Sequence, residues 1–136
     1  MKTGDSHQQK PIAITIEKMI NDGSGMGHLE NGKVVFLPNA LPGETHEIAI
    51  TEEKPNFTSA KSIGLKNPSD KRITPRCPHF GQCGGCDLQH LSYENQLKMK
   101  ADFLDQNLEK AGIKGSVKVD IIPSPSEWNY RNTAVF

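Results

Sequence analysis

Short runs of alternating apolar residues, separated by turn signals, fill residues 11–66 and limit what this stretch can fold into. Ile12, Ile14 and Ile16 fall on one side of an extended chain, as in a half-buried β-strand. The pair Asn31-Gly32 is typical of a β-hairpin turn. Further strands are predicted over KVVFLP at 33–38, THEIAITEE at 45–53 and NFTSAKSIG at 56–64. This pattern predicts a mainly-β fold, a small OB-like barrel over residues 11–66.

Three glycines, Gly23, Gly25 and Gly27, lie within the first part of this region and suggest a nucleotide-binding loop. The context does not support one, because no helix pattern follows the glycines and the segment GSGMGHLENG contains no Lys-Ser or Lys-Thr pair. Glycines inside a strand usually mark a bulge or the corner of a barrel. The sequence therefore predicts a bent or bulged strand here rather than a phosphate site.

All three cysteines of the chain lie in one block with the spacing Cys-x5-Cys-x2-Cys: Cys77, Cys83 and Cys86. Thiolates in this pattern could hold a [4Fe–4S] cluster completed by a fourth thiolate from elsewhere, or zinc completed by His79 or His90. A cluster with an open iron, as in enzymes that cleave S-adenosylmethionine to radicals, is disfavoured because those enzymes use Cys-x3-Cys-x2-Cys. Three free buried thiols form the metal-free alternative. Spacing alone leaves iron–sulfur and zinc open.

An amphipathic helix is predicted directly after the cysteines. Its apolar stripe recurs at helical spacing and comprises Tyr93, Leu97, Ala101, Leu104, Leu108 and Ala111. Ser92 is a candidate N-cap and Gly112 a candidate C′ residue. A strand is predicted over 116–122, and the sequence stops at Phe136 inside what reads as another strand. We therefore expect only the start of an α+β central domain, with the rest of a larger protein absent.

The charges are balanced overall but unevenly placed. The chain has 16 basic and 16 acidic residues, so bulk charge predicts no polyanionic partner. Residues 54–76 nevertheless contain one acidic and six basic side chains: Lys54, Lys61, Lys66, Lys71, Arg72 and Arg76. They form either a solvated linker or a strip that contacts phosphates, for which Arg72 and Arg76 are the preferred contacts.

The N-terminal residues 1–10 are polar and predict a disordered tail without the apolar core of a signal peptide. No apolar run approaches the roughly 20 residues of a membrane span. Three clustered cysteines outside a secreted context favour metal or redox chemistry over disulfides. We expect a cytoplasmic protein with no membrane association.

Three segments resemble one protein family. IEKMINDGSGMGHLENGKVVFLPNALPGE, residues 16–44, resembles a TRAM domain, a small OB-like barrel that binds RNA. CPHFGQCGGCDLQHLSYENQLKMK, residues 77–100, is similar to the iron–sulfur block of the RNA uracil-C5 methyltransferases. NYRNTAVF, residues 129–136, is similar to the start of their next segment. The pairing of a TRAM domain with the iron–sulfur block most resembles the branch that methylates 23S ribosomal RNA, with the transfer-RNA branch as the alternative.

The resemblance implies four parts: a tail at 1–10, a TRAM barrel at 11–66, a linker and iron–sulfur loop at 67–90, and a helix with the truncated start of a central domain at 91–136. Cys77, Cys83 and Cys86 would ligate a [4Fe–4S] cluster whose fourth cysteine is missing here. The Rossmann-like domain that binds S-adenosylmethionine would also be absent, together with the catalytic residues, so this chain alone would be inactive.

The chain would then be a monomer that holds RNA through the six basic residues. Phe36 and Phe57 are the aromatic candidates for stacking on bases, although core positions are favoured for both. The alternative from a different class is a stand-alone RNA-binding module with a structural zinc.

Overall fold

The structure is a computed structural model that describes residues 11–113, 115 and 120–133. The predicted tail at 1–10, most of the predicted strand at 116–122 and the end of the last predicted strand at 134–136 lie outside the described residues. The described part falls into two compact units, divided between His90 and Leu91.

The first unit is built on one six-stranded sheet. Its strands are β1 (Ile12–Thr15), β2 (Lys18–Met19), β3 (Gly25–His28), β4 (Val34–Leu37), β5 (Thr45–Glu53) and β6 (Phe57–Asn67). Their order in the sheet is β1-β5-β6-β4-β3-β2, with every pair antiparallel except β4 and β6. β5 has the predicted bounds, whereas β6 runs on to Asn67, beyond the predicted end of the barrel.

The sheet is curled, because its two edge strands follow each other in the chain. Only Ile16 and Glu17 separate β1 from β2, yet these strands stand at opposite ends of the strand order. At this bend the Ile16 N–H donates to the carbonyl oxygen of Glu44 at 2.9 Å, and the Glu17 N–H donates to that of Met26 at 2.9 Å. The predicted mainly-β fold is therefore confirmed, and its strands form a curled sheet.

The core lies on the concave side of the sheet. The predicted inward side of the first strand is confirmed, since Ile14 and Ile16 are buried. They form one apolar cluster with residues from the other strands and the loop before β5: Val35, Leu37, Ala40, Ile48 and Ala60. The alternation of buried and exposed residues on β3, β4 and β6 separates this core face from an outer face.

Two glycines of β3 allow close approach of the backbone. A methyl group built on Gly27 would lie 2.5 Å from the carbonyl oxygen of Thr15, and one on Gly25 would lie 2.9 Å from that of Ala40. The pairings of β3 run without a register shift, so the predicted bulge is not present at these glycines. They are needed because the curled sheet brings the end of β1 against β3.

The second unit contains the helix α1 (Tyr93–Lys110). The predicted end is confirmed: Gly112 has φ +77°, its N–H donates to Glu109, and the Ile113 N–H donates to Leu108, which is a Schellman motif. Ser92 is the N-cap residue but its side chain makes no capping hydrogen bond. No residue of α1 is fully buried: of its apolar stripe, Leu104 and Ala111 are exposed and the other members are half-buried. Among these residues, no helix is long and apolar enough to cross a membrane.

Candidate functional site

The three cysteines lie in a loop that is closed at its base. This cysteine loop, residues 73–90, begins and ends at a hydrogen bond from the Ile73 N–H to the His90 carbonyl oxygen, 2.9 Å long. Inside it, the Cys83 N–H donates to the His79 carbonyl at 3.2 Å, and the Cys77 N–H donates to Oε1 of Gln89 at 3.1 Å. Cys77 is half-buried and Cys83 and Cys86 are exposed. The loop thus has defined internal structure and presents two thiols to solvent.

The cysteine loop packs against the curled sheet's own turns. A methyl group built on Gly23 would lie 3.2 Å from Cβ of Asp87, and one on Gly81 would lie 3.2 Å from Nδ2 of Asn39. Gly23 precedes β3, and Asn39 follows β4. The loop and the sheet therefore form one body.

A buried carboxylate fixes the start of this loop to the sheet. Glu44 is 0 % exposed and accepts hydrogen bonds from the Leu41 N–H at 2.9 Å and the Ser69 N–H at 3.1 Å. Arg72 donates to it through Nε at 2.6 Å and through a terminal nitrogen at 2.7 Å, and also donates to the carbonyl of Asn39 at 2.7 Å. We call Glu44, His46, Ser69 and Arg72 the Glu44 network.

His46 completes the Glu44 network. Its Nε2 lies 3.0 Å from Oε2 of Glu44, and its Nδ1 lies 2.9 Å from the hydroxyl of Ser62. A carboxylate only accepts, so Nε2 carries the proton and Nδ1 accepts from the hydroxyl in the neutral ring. Burial by itself raises the pKa of Glu44, but the bonds from Arg72, Leu41, Ser69 and His46 outweigh it and lower that pKa to about 2.

The structure gives the six predicted basic residues different surroundings. Arg72 is held by Glu44 and its side chain is only 22 % exposed, so its guanidinium is occupied within the protein. Lys54 pairs with Glu52 at 3.2 Å and Lys66 with Glu47 at 3.1 Å, both at the surface. Three further members are exposed: Lys61, Lys71 and Arg76. Within the described residues, neither Lys61 nor Lys71 forms an ion pair. The RNA contacts remain predictions.

The two aromatic candidates do not lie in the core. Phe36 and Phe57 are half-buried and share the outer face of the sheet, opposite the buried Val35 and Thr58. Their rings meet edge to face, with centroids 5.5 Å apart, and the Lys54 ammonium lies 5.5 Å from the centroid of Phe57. The expectation that both fill the core was wrong. KVVFLP is a continuous apolar run, so its sequence does not indicate which side faces inward.

His90, one of the candidate zinc ligands, is fully buried at the base of the cysteine loop. Its ring lies 5.4 Å from that of Phe80, and neither ring nitrogen has a hydrogen-bond partner among the described residues. Burial, and then the charge of Arg72, lower the pKa of His90 to about 4. His79, the other candidate, is exposed.

The cysteines are chemically suitable ligands for an iron–sulfur cluster or zinc, but they are not assembled around a common point. Across residues 11–113, 115 and 120–133, no group of three or more His, Cys, Asp or Glu side chains is arranged to hold a metal ion. Thiolates are the right ligands for either metal site. The predicted metal ligation by Cys77, Cys83 and Cys86 therefore stays a prediction.

Sequence reasoning missed the Glu44 network and the outer face. Glu44 ends the turn LPGE, where a carboxylate is normally solvated, and its main partner Arg72 comes much later in the chain. The only sequence signal is the preference of arginine for paired, partly buried carboxylates, which names no partner.

The chain resembles known proteins along most of its length. Residues 8–63 match the family model of the TRAM domain. The chain is 42 % identical over 125 residues to an uncharacterized RNA methyltransferase of Aquifex aeolicus, covering 91 % of this chain and 29 % of that protein. It is 41 % identical over 124 residues to the 23S rRNA (uracil(1939)-C(5))-methyltransferase RlmD of Shewanella amazonensis, covering 90 % and 28 %.

A solved structure shares the fold. The crystal structure of Pyrococcus abyssi tRNA (uracil-54, C5)-methyltransferase in complex with S-adenosyl-L-homocysteine matches with a TM-score of 0.53 and 26 % identity, covering 83 % of this chain and 24 % of that one. This chain spans somewhat over a quarter of the length of the curated relatives it matches. The chain therefore carries a TRAM domain and is homologous, along nine-tenths of its length, to the TRAM-bearing portion of RNA uracil-C5 methyltransferases.

Proposed function

We propose that this chain is the RNA-binding portion of an S-adenosylmethionine-dependent 23S rRNA (uracil-C5)-methyltransferase. The observation that carries the proposal is the 41 % identity to the Shewanella enzyme, which extends across both the TRAM domain and the cysteine loop. The transfer-RNA branch is the second candidate, favoured by the structural match to the Pyrococcus enzyme. Methyl transfer itself would reside in the longer protein. A cytoplasmic, monomeric state is part of the same proposal.

The lysines that are free to exchange partners are the best candidates for phosphate contacts. Lys61 and Lys71 are exposed and have no ion pair among the described residues. Lys54 and Lys66 form surface pairs, which stabilise by about 1 kcal/mol or less and can yield to a phosphate. Arg72 would contribute indirectly, because it holds the cysteine loop on the sheet. Arg76 is exposed within that loop.

A filter-binding titration of a 23S rRNA fragment tests the phosphate contacts. We expect Lys61→Ala combined with Lys71→Ala to weaken binding and to reduce the salt slope by roughly 0.7 for each lost single-strand contact. Lys98→Ala is the matched control, since Lys98 is an exposed lysine paired with Glu94 on α1. Affinity and slope equal to those of the wild type in the double variant would contradict this assignment.

The cysteine loop is proposed to hold a [4Fe–4S] cluster through Cys77, Cys83 and Cys86, with a fourth ligand from outside the described residues. Support comes from the three cysteine side chains and from the two ring nitrogens of His90 beneath the loop, which have no hydrogen-bond partner among the described residues. Because metal binding couples to local folding, the thiolates would converge only when the cluster forms. When bound, the cluster would supply a structural cross-link rather than a reacting group.

Anaerobic reconstitution separates the cluster from zinc. Iron and sulfide in about equal amounts, lost together when all three cysteines are changed to serine, would support the cluster. A colourless protein that takes up one zinc and no iron would contradict it and favour a stand-alone RNA-binding module.

A further inference from the structure

An apolar strip with basic margins runs across the outer face of the sheet. Strand register places Lys18 opposite Met26, Met26 opposite Phe36, and Phe36 opposite Ser59. In the neighbouring row His28 is opposite Val34, which is opposite Phe57. We call the apolar members of these two rows the outer-face strip: Met26, Val34, Phe36 and Phe57. Each of them is half-buried.

The core does not require this strip. The cluster of buried residues is formed by the opposite face of the same strands, including Val35, Leu37 and Ala60. Two phenylalanines on the far side add no packing to that cluster. Their edge-to-face contact instead holds both rings in place on the sheet surface, with centroids 5.5 Å apart.

Lysines at the edges of the outer-face strip would favour a polyanionic ligand that also carries flat apolar groups. Lys61 follows Phe57 and Ser59 on the same face of β6, and Lys18 lies at the other end of the first row. Neither lysine forms an ion pair within the described part of the chain. Of the acids beside the strip, Glu17 is hydrogen-bonded to His28, and Glu52, opposite Ser59 at the end of the first row, pairs with Lys54.

The position of Lys54 shows how a phosphate and a base could bind side by side on this face. Its ammonium lies over the Phe57 ring while its side chain is 47 % exposed and only loosely paired with Glu52. A stacked base would displace the ammonium from the ring, and the adjoining phosphate would accept it. An aromatic platform beside a mobile cation is the arrangement by which proteins hold single-stranded nucleic acid.

We propose that Phe36 and Phe57 on the outer face form a stacking platform for an unpaired RNA base, so that this chain selects single-stranded over duplex RNA. This inference rests on the RNA-binding function proposed above. It differs from that function in assigning the selectivity to two rings rather than to the lysines. Duplex RNA keeps its bases stacked and would engage only the lysines.

The probe is a single-stranded oligoribonucleotide of mixed sequence that contains one 2-aminopurine, compared with the same strand annealed to its complement. We expect the wild-type chain to bind the single strand at least tenfold more tightly and to change 2-aminopurine fluorescence on binding. Phe57→Leu and Phe36→Leu should each weaken single-strand binding by roughly tenfold, leave the salt slope unchanged and leave duplex binding unchanged. Phe57→Trp should retain or strengthen it.

Tyr130→Leu is the matched control, because Tyr130 is an aromatic residue that is 69 % exposed and lies outside the sheet. If the leucine variants bind the single strand as the wild type does, the platform is wrong while the lysine contacts stand. If the wild-type chain binds neither probe, both the platform and the proposed function are wrong. Circular dichroism of each variant confirms that the sheet is retained, and Phe57→Trp tests the stacking without removing a ring.

Discussion

Replacing Arg72 by methionine tests whether the Glu44 network fixes the cysteine loop to the sheet. The guanidinium supplies two of the hydrogen bonds to Glu44, at 2.6 and 2.7 Å, and Glu44 is 0 % exposed. Methionine keeps much of the apolar stem but leaves the buried carboxylate without its guanidinium partner. Breaking a buried pair in this way typically costs about 3–5 kcal/mol.

The pKa of Glu44 gives a figure of the same size for all of its hydrogen bonds together, of which those from Arg72 lower the pKa most. A lowering from 4.5 to about 2 corresponds to about 3 kcal/mol of stability at neutral pH, at about 1.4 kcal/mol per pH unit. This stability is complete above pH 4.5 and is lost as the pH falls toward 2. Without Arg72, burial is less opposed and the pKa of Glu44 rises, so the deficit of the variant should shrink as the pH is lowered below neutral.

Urea unfolding followed by circular dichroism measures the effect, and amide exchange at Leu41 and Ser69 reports on the two backbone donors directly. We expect Arg72→Met to lose about 3 kcal/mol at pH 7 and the two amides to exchange faster. Lys66→Met is the matched control: its pair with Glu47 at 3.1 Å is exposed, and its loss should cost less than about 1 kcal/mol. Equal stability of the two variants would refute the clamping role of Arg72.

Three further results are expected. His90→Phe removes two buried ring nitrogens that have no partner among the described residues, so the stability of the variant at pH 7 should equal or exceed that of the wild type. The wild type loses stability between pH 6.5 and 4, because the pKa of His90 is lowered in the folded state, and the variant should not. Thermal unfolding across that range measures both effects, and an unchanged slope would contradict the buried neutral ring. Gly27→Ala should cost at least about 2 kcal/mol because its methyl group meets the Thr15 carbonyl, whereas Gly64→Ala meets only the flexible end of Glu47; equal urea midpoints would overturn that argument. The 136-residue chain should transfer no labelled methyl group from S-adenosylmethionine to 23S rRNA, and any transfer above a protein-free control would contradict the assignment of catalysis to the longer protein.

Local sequence patterns predicted the strands because the alternation of apolar and polar residues along a strand involves only neighbouring positions. The period-two placement of Ile14 and Ile16 was enough to find the inner face of β1, and the apolar alternation of 45–53 gave the bounds of β5. Gly112 likewise marked the end of α1, because a Schellman motif is formed by residues that are close to the glycine in the chain.

The site depended on pairings between distant segments, which local patterns do not contain. Arg72 was read as a phosphate contact because it lies in a basic segment, but the fold brings it to Glu44 across 28 positions. Phe36 was expected in the core, but the register with Met26 and Ser59 places it on the outer face. The linker at 67–76 likewise turned out to be held to the sheet through Ser69 and Arg72.

Competition binding of the 136-residue chain to a 23S rRNA fragment tests whether the chain binds ribosomal RNA in preference to other nucleic acids. The labelled fragment is held at fixed salt and challenged with unlabelled 23S rRNA, transfer RNA or duplex DNA of the same length. We expect the chain to retain the fragment, and we expect unlabelled 23S rRNA to compete best, transfer RNA less well and duplex DNA least. Retention of no RNA at low salt, or equal competition by duplex DNA, would contradict the claim that this chain is the RNA-binding portion of a uracil-C5 methyltransferase.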